Sequence, residues 1–429
     1  TANEIIDNKE FKKIDVIVID HHLSEIKLPN VLAIINPNRV DDTSDYTQLA
    51  AVGVTFLFLM YLRKKLREFN KFDEIKEPNL LSYLDLVALG TVCDVVELKR
   101  YNRFFVQKGL ELIHKRYHKG IAKLIDNSKI SSSPTSQDLG FIVGPQINAA
   151  SRIDDSSLAS KLLISNDIEQ VETISRKLFL LNEKRKLIES QILDDANNQA
   201  ANQSSSNFIL VFGNNWHQGV LGIIASKIKD IYYKPTIVIS FSNNIGVGSA
   251  RSIENVDLGK IILNAKTENF LISGGGHSMA AGLKINFSNL ENFKNYLEKS
   301  LSLYPKNLFD RIDYFDSVIT PNELNLDLIN GIEQLQPFGK GNPEPVFILK
   351  DVNIDSIKII KNKHILIFFE NDIGDKIKGI CFNSNKTILG DYLEKYNQYK
   401  FYFSCNVTID KFTSEPLPQI IIRDIMKID

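Results

Sequence analysis

A run of β-branched residues near the start of the chain ends in a carboxylate and two imidazoles. Residues 16–19 read Val-Ile-Val-Ile, and Asp20, His21 and His22 follow directly. Such a run predicts a strand buried on both faces, and ligands of parallel α/β sheets bind beyond the carboxyl ends of the strands. Asp and His are ligands of Mn²⁺, Mg²⁺ and Zn²⁺, and these ions promote phosphoester hydrolysis. The segment predicts a metal site at a sheet edge; the alternative is a strand cap whose histidines hydrogen-bond in a loop.

A further carboxylate, Asp94, stands inside an apolar run just after Gly90 and Thr91. A carboxylate in apolar surroundings is costly unless it is paired or bound to a cation. The separation from Asp20 leaves room for a strand–helix crossover, so both side chains can reach one sheet edge. We expect Asp94 to join the Asp-His-His segment there, and the alternative is that Asp94 caps a helix.

Two other segments combine small residues with groups that bind anions. In residues 144–152, Gly and Ala allow close backbone approach, and Asn148 and Arg152 can contact a phosphate; the alternative is a plain helix start. In residues 274–277, three glycines precede His277 and a run that we predict to be helical. Such glycines form an anion nest of N–H groups, reinforced by the helix N-terminus, to which Arg251 would add a cationic contact. The alternative is a flexible turn.

The surrounding sequence predicts the elements that position these residues. Residues up to Lys12 suggest the end of a helix, and residues 1–165 alternate strand-like and helical runs, with apolar runs at 84–89 and 92–96. This alternation predicts a parallel-sheet α/β domain. Apolar residues spaced by three and four predict one long helix across 166–206. Residues 207–303 predict a second, smaller α/β domain, and a period of two in 304–429 predicts a small antiparallel β-barrel or sheet.

Composition narrows the class of protein. The 429 residues are enough for two to four domains, and 43% apolar with 24% charged residues is typical of soluble globular proteins. No apolar run is long enough to cross a membrane. With a net charge of −1, a nucleic-acid binder needs local basic patches. The three cysteines are far apart, which predicts reduced thiols in a cytoplasmic protein rather than disulfides.

The motifs, taken in order, resemble the DHH/DHHA1 phosphoesterases, and within them the single-stranded-DNA-specific exonucleases. The resemblance rests on residues 18–22, 90–96, 144–152, 248–252 and 274–282, with 216–217 and 336–345 in addition. It covers essentially the whole chain. Each motif is weak alone, and the ordered set is highly specific.

The resemblance implies a DHH catalytic domain, a long connecting helix, a DHHA1 domain and an OB-fold. It also implies Mn²⁺ or Mg²⁺, two ions in the complete protein, and removal of nucleotides from the 5′ end of single-stranded DNA in repair and recombination. A helicase or a single-strand-binding protein is the implied class of protein partner. His21 and Asp94 match metal ligands, His22 matches a residue at the metal and scissile phosphate, and Asp20 completes the motif. Positions that hold the DNA backbone or terminal phosphate are matched by Asn148, Arg152, Ser249, Arg251, Gly275, Gly276 and His277.

The chain departs from the family pattern in three places. An Asp-x-Asp and an Asp-Asn-Gly motif, which supply further metal ligands, do not occur ahead of Asp20, so we expect the first part of the catalytic domain to be missing. Ser151 stands where the family has glycine, and Gln146 where it often has arginine. Two alternatives to the exonuclease follow. One is an inactive homologue that only binds single-stranded nucleic acid; the other is a phosphodiesterase of oligonucleotides or cyclic dinucleotides.

Overall fold

The computed structural model describes residues 14–24, 26–130, 133–203, 205–410 and 416–428. The chain divides into two compact units. The first combines Thr1–Tyr117, Ser133–Gly140 and Asp313–Asp429, and the second combines His118–Ser132 and Phe141–Ile312. The helix end predicted up to Lys12 lies outside the described residues, and the four domain boundaries stay a prediction.

The first unit begins with two short parallel strands and three helices. Strands β1 (Ile17–Ile19) and β2 (Ala33–Ile35) pair in register from Ile17 opposite Ala33. The helices are α1 (Ala51–Glu68), α2 (Leu84–Cys93) and α3 (Arg100–His114). Their apolar faces form one core with Leu49, Val54 and Phe105. Parallel β1 and β2 place the Asp-His-His segment beyond a carboxyl strand end, as predicted.

The interpretation of residues 84–89 and 92–96 as part of the strand alternation is wrong, because both runs fall on or beside helix α2. Six of the ten residues of α2 are buried, including Val87, Ala88 and Leu89. A helix buried on most sides lacks the periodic polar face that identifies a helix, so its sequence cannot be distinguished from that of a buried strand.

The second unit begins with a bundle of helices. These are α4 (Lys119–Asn127), α5 (Gly144–Ile153), α6 (Ser157–Ile164) and α7 (Ile168–Ala201). Helix α7 confirms the predicted long helix: its 34 residues span about 50 Å. The Asp167 carboxylate accepts a hydrogen bond from the Glu169 backbone N–H at 2.9 Å and so caps its start.

A five-stranded sheet follows α7. Its elements are β3 (Ile209–Asn214), α8 (Leu221–Tyr232), β4 (Thr236–Ser242), β5 (Ile245–Arg251), α9 (Leu258–Thr267), β6 (Ser273–His277), β7 (Ala280–Asn286) and α10 (Leu290–Leu301). The strand order is β3-β4-β5-β7-β6, with only β3 and β4 parallel. One apolar cluster includes α9 and α10, and another joins α7 and α8. The sheet therefore has a core on each face.

Two glutamines, Gln199 in α7 and Gln203 just after its end, cover the edge strand β3. Gln199 and Gln203 each form two hydrogen bonds to one residue of that strand, through the amide oxygen and the amide nitrogen. Gln203 bonds the N–H and C=O of Leu210 at 3.0 and 2.9 Å, and Gln199 bonds those of Phe212 at 3.1 and 2.9 Å. These side chains replace the hydrogen bonds that a neighbouring strand would make, and they protect an edge that could otherwise pair with another chain.

We expect the double variant Gln199→Ala/Gln203→Ala to lower the free energy of unfolding by about 1–3 kcal/mol, because four backbone groups lose partners. We also expect more self-association, since the β3 edge becomes available. Urea denaturation and light scattering measure the two effects. Gln191→Ala, at an exposed position of the same helix, is the control and should change neither. Unaltered stability in the double variant would contradict a role for these bonds.

The chain returns to the first unit with a seven-stranded sheet. Its elements are β8 (Ser317–Ile319), α11 (Leu326–Gln334), β9 (Phe347–Leu349), β10 (Ile354–Ile360), β11 (His364–Glu370), β12 (Lys376–Cys381), α12 (Ile388–Glu394), β13 (Lys400–Asp410) and β14 (Leu417–Ile428). The order is β10-β11-β12-β14-β13-β9-β8. Among the described residues β10 and β8 do not pair, so the predicted barrel is an open sheet. The sheet is also mixed, because β12 pairs with β14 and β8 pairs with β9 in parallel. Helix α12 connects β12 to β13, and β14 lies between these two strands in the sheet.

The motif at residues 336–345 packs against the start of the first unit. The Leu98 N–H donates to the Lys340 carbonyl at 2.7 Å, and the Ser136 hydroxyl donates to the Phe338 carbonyl at 2.6 Å. Arg103 donates to the Gln336 carbonyl at 3.3 Å. These contacts give the motif a structural role within the first unit. Among the described helices, none has the length and apolar character that spanning a bilayer requires.

Candidate functional site

The Asp-His-His segment forms a compact cluster of metal-type donors. One donor atom from each of Asp20, His21 and His22 lies within 4.8 Å of the other two. The Asp20 Oδ1 contacts the His22 Nδ1 at 2.7 Å and accepts the His21 backbone N–H at 2.7 Å. Burial raises the pKa of Asp20, but these hydrogen bonds outweigh burial and leave the pKa below its ordinary value. The Asp20 carboxylate is therefore held ionised beside the two imidazoles.

Asp94 lies next to this cluster. Its Oδ2 is 2.9 Å from the His21 Nε2, as expected from the sequence. The predicted environment of Asp94 was wrong, however. Asp94 is not surrounded by apolar groups: it ends helix α2, and its side chain is 40% exposed. A negative charge at a helix C-terminus is unfavourable on its own. Val95, the next residue, has φ 55°, a strained conformation for a β-branched side chain.

Two asparagines that the sequence reasoning missed hold the backbone of this loop. They follow β2, as the Asp-His-His segment follows β1. The Asn36 Nδ2 donates to the His22 carbonyl at 2.8 Å, and the Asn38 Nδ2 donates to the His21 carbonyl at 2.6 Å. Their position at the adjacent carboxyl strand end was visible in the sequence and is the signal that could have identified them.

The donors present fit a divalent cation. Donor atoms of Asp20, His21 and His22 lie within 4.8 Å of one another, and the Asp94 Oδ2 lies 2.9 Å from the His21 Nε2. Oxygen and imidazole nitrogen are ligands that Mn²⁺ accepts. His21 and Asp94 are therefore the residues that would hold the metal, with Asp20 and His22 beside them.

The second unit contains the residues predicted to bind phosphate. Arg152, in α5, donates from Nη1 to the Gly219 carbonyl at 2.9 Å, just before α8. A side chain at Gly219 would place its Cβ 2.3 Å from the Arg152 carbonyl oxygen, so only glycine permits this approach. Asn148 lies exposed on the same helix. Residues 144–153 are a plain helix with Pro145 in its first turn, as the alternative interpretation had it.

Arg251 and Ser249 lie beside the start of α8. The Arg251 Nη1 is 3.2 Å from the Ser249 Oγ. A Cβ placed on Gly222 would be 2.8 Å from the Arg251 Nη2 and 3.1 Å from the Ser249 Oγ. Burial, and then the charge of Arg152, lower the pKa of Arg251. Two partly buried guanidinium groups that repel each other beside a helix N-terminus favour an anion between them.

The glycine triplet forms part of a strand, so the predicted helix after His277 is wrong. Strand β6 pairs with β7 through Gly275 opposite Gly282 and His277 opposite Ala280. The glycines have little strand propensity, and pairing with β7 determines their conformation. Arg251 also lies opposite Ala280, so Arg251 and His277 share a sheet face about 10 Å apart.

Gly275 lies on the row of Ser249 and Gly282, one step along the same face. No atom lies within 4 Å of a Cβ placed on Gly275, so backbone there is open to a ligand. A Cβ on Gly276 would be 2.3 Å from the Ala280 carbonyl oxygen. Gly276 therefore serves the hairpin, whereas Gly275 leaves room on the face that carries Arg251.

A buried ion cluster of α7 adjoins these arginines, and sequence reasoning missed it. Glu189, whose side chain is 6% exposed, contacts Arg185 and Lys227, each at 2.5 Å. Burial, followed by the charge of Arg185, lowers the pKa of Arg152, while Glu189 opposes this effect. The spacing of Arg185 and Glu189 by four residues is a local signal, but Lys227 on α8 has none. These contacts and charge effects link four cations, Arg152, Arg185, Lys227 and Arg251, with one carboxylate, Glu189.

Three family models match this chain in the domain order that the motifs implied. The DHH family, N-terminal domain matches residues 1–91, the DHHA1 domain matches 205–303 and the RecJ OB domain matches 315–424. The single-stranded-DNA-specific exonuclease RecJ of Haemophilus influenzae is 33% identical, and the alignment covers 97% of this chain and 74% of that protein. The chain belongs to the RecJ family. The resemblance predicted from the motifs is thereby confirmed.

Solved structures of RecJ from Thermus thermophilus share the fold. The complex with Mn²⁺ superimposes with a TM-score of 0.80 at 23% identity and covers 99% of this chain. The complex with Mg²⁺ gives a TM-score of 0.78 at 23% identity, over 96% of this chain. The present chain spans 61% and 60% of those two RecJ chains.

Proposed function

We propose that this chain is a metal-dependent exonuclease that hydrolyses phosphodiester bonds of single-stranded DNA from the 5′ end, in repair and recombination. The observation that carries the proposal is the cluster of Asp20, His21 and His22, with Asp94 2.9 Å from His21. The RecJ of Haemophilus influenzae is named for this activity, and the Thermus thermophilus RecJ structures are complexes with Mn²⁺ and Mg²⁺. The proposal includes one of these ions, a cytoplasmic location, and a helicase or single-strand-binding protein as partner.

Each residue of the first-unit cluster has its own proposed role in the hydrolysis. A divalent ion held here would supply polarisation of a phosphoryl oxygen and a lowered pKa of a water molecule. His21 and Asp94 are the proposed ligands, and Asp20 orients His22 through the 2.7 Å contact with Nδ1, which leaves Nε2 as the second polar atom of that ring. The side chain of His22 is 68% exposed, so it is accessible to a scissile phosphate.

The residues of the second unit are proposed to hold the strand. Arg152 and Arg251 would bind phosphate oxygens with planar, forked donors, a geometry that suits phosphate. Ser249 lies on the same sheet face as Arg251 and offers a neutral donor, and Gly275 leaves open space on that face for the strand. His277 and Asn148 are the remaining polar groups assigned to this role.

The direct test is release of mononucleotides from 5′-phosphorylated single-stranded DNA in the presence of Mn²⁺. We expect cleavage that EDTA abolishes and that is slow on duplex DNA and on cyclic dinucleotides. Strand binding without turnover in Mn²⁺ or Mg²⁺ would contradict the proposal and identify an inactive binding protein. Faster turnover of dinucleotides than of long strands would instead identify a phosphodiesterase of small substrates.

A further inference from the structure

The loop that carries the proposed metal ligands is bonded to the loop that follows the neighbouring strand. The Asp20 N–H donates to the Ile35 carbonyl at 3.0 Å and so extends the pairing of β1 and β2 by one bond. One more backbone bond joins the two loops, from the Ser24 N–H to the Asn38 carbonyl at 3.4 Å. Between these two backbone bonds, the side-chain amides of Asn36 and Asn38 each donate to the carbonyl of one histidine.

The two amides are themselves anchored. Asn36 is 5% exposed, and its Oδ1 accepts the Asn38 backbone N–H at 2.8 Å. The Asn38 Nδ2 makes a second bond, at 3.1 Å, to the Thr47 carbonyl, close to the start of α1. Pro37, buried between them, has a restricted φ. The donors therefore come from a rigid segment, and they bond the two residues whose imidazoles belong to the donor cluster.

We propose that Asn36 and Asn38 are positioning residues: Asn38 orients His21 as a metal ligand, and Asn36 orients His22 beside the metal and the scissile phosphate. The physical reason is that a peptide unit is planar, so a bonded carbonyl restricts the ψ angle of its own residue. The allowed side-chain rotamers depend on that backbone conformation. Fixing the two carbonyls thus keeps both imidazoles in the donor cluster without any contact between the asparagines and the ion. This inference rests on the proposed function, because it explains how the histidines of the proposed metal centre are oriented.

The test is the affinity of the chain for Mn²⁺, measured by the EPR signal of the free ion. We expect Asn38→Ala and Asn36→Ala to weaken Mn²⁺ binding by about 10–100-fold, the usual effect of removing a group that orients a ligand. Asn38 is partly exposed, so Asn38→Ala is the variant expected to retain the fold, as checked by circular dichroism and thermal melting. Raising the Mn²⁺ concentration should restore nuclease activity in Asn38→Ala, with the KM for DNA unchanged.

Asn342→Ala is the matched control. Asn342 also donates from one amide to two carbonyls, those of Leu335 at 2.8 Å and Pro337 at 2.9 Å, within the first unit. We expect this variant to bind Mn²⁺ as the unaltered chain does.

Three results would overturn the inference: unchanged Mn²⁺ affinity in both Asn38→Ala and Asn36→Ala, an equal loss in Asn342→Ala, or unfolding of Asn38→Ala. Failure of the unaltered chain to bind Mn²⁺ is a different outcome. It would remove the proposed metal centre itself, and the positioning role with it.

Discussion

Replacing His21 with alanine is expected to reduce manganese-dependent release of nucleotides by at least about 100-fold. Groups that only orient a metal ligand already contribute about 10–100-fold to affinity or activity, and His21 is a proposed ligand. Its side chain is 14% exposed and lies 2.9 Å from Asp94, so the substitution removes the group that joins that carboxylate to the Asp-His-His segment. Initial rates on 5′-phosphorylated single-stranded DNA measure the effect.

The control is His114→Ala. His114 is an exposed histidine of the same unit whose Nδ1 contacts the Ser133 hydroxyl at 3.2 Å, and we expect full activity after its replacement. Binding of the strand without metal should persist in His21→Ala, because the proposed phosphate-binding arginines belong to the second unit. Turnover at the original rate in His21→Ala would eliminate the metal role of this residue.

Replacing Arg251 with methionine is expected to raise the KM for 5′-phosphorylated DNA by about 10–100-fold. A hydrogen bond to a charged group contributes about 1.5–3 kcal/mol, and a tenfold change corresponds to about 1.4 kcal/mol. Arg251 is partly buried beside Ser249 and the start of α8, and both its burial and Arg152 disfavour its charge in the absence of an anion. A phosphate relieves that cost, so loss of Arg251 should act on strand binding more than on kcat.

Two further variants separate charge from shape. Arg251→Lys retains the charge but not the planar fork, so its KM should lie between those of the unaltered chain and Arg251→Met. Lys299→Met, which removes an exposed cation of α10 in the same unit, controls for nonspecific attraction of DNA and should leave KM nearly unchanged. An unaltered KM in Arg251→Met would exclude Arg251 from phosphate binding.

The parts of the fold that were predicted correctly have signals within one short segment. Helix α7 was recognisable because apolar residues recur every three or four positions over its length, and Asp167 marks its start. The Asp-His-His segment was placed at a carboxyl strand end because four β-branched residues precede it. The ordered motifs identified the family, which the similarity to Haemophilus influenzae RecJ confirms.

The errors arose where burial or pairing overrides local pattern. Helix α2 is buried on most sides, so its sequence carries no period. The glycines of β6 have little strand propensity, and pairing of Gly275 with Gly282 determines their conformation. The C-terminal strands alternate as predicted, but alternation does not specify which strands pair, and the sheet is open rather than closed.

The sequence alone was enough to select the chemistry. Carboxylates, imidazoles and arginines at these positions indicate metal-assisted cleavage of a phosphate ester, because side-chain chemistry is carried by residue type. Only the tertiary structure determined which groups contact these side chains and their backbone. Asn36 and Asn38 bond the carbonyls of the two histidines, and Asp94 contacts His21 from a helix end. Glu189 contacts both Arg185 and Lys227. These partners come from separate elements, and hydrogen bonds and ion pairs depend on distances that no local pattern encodes.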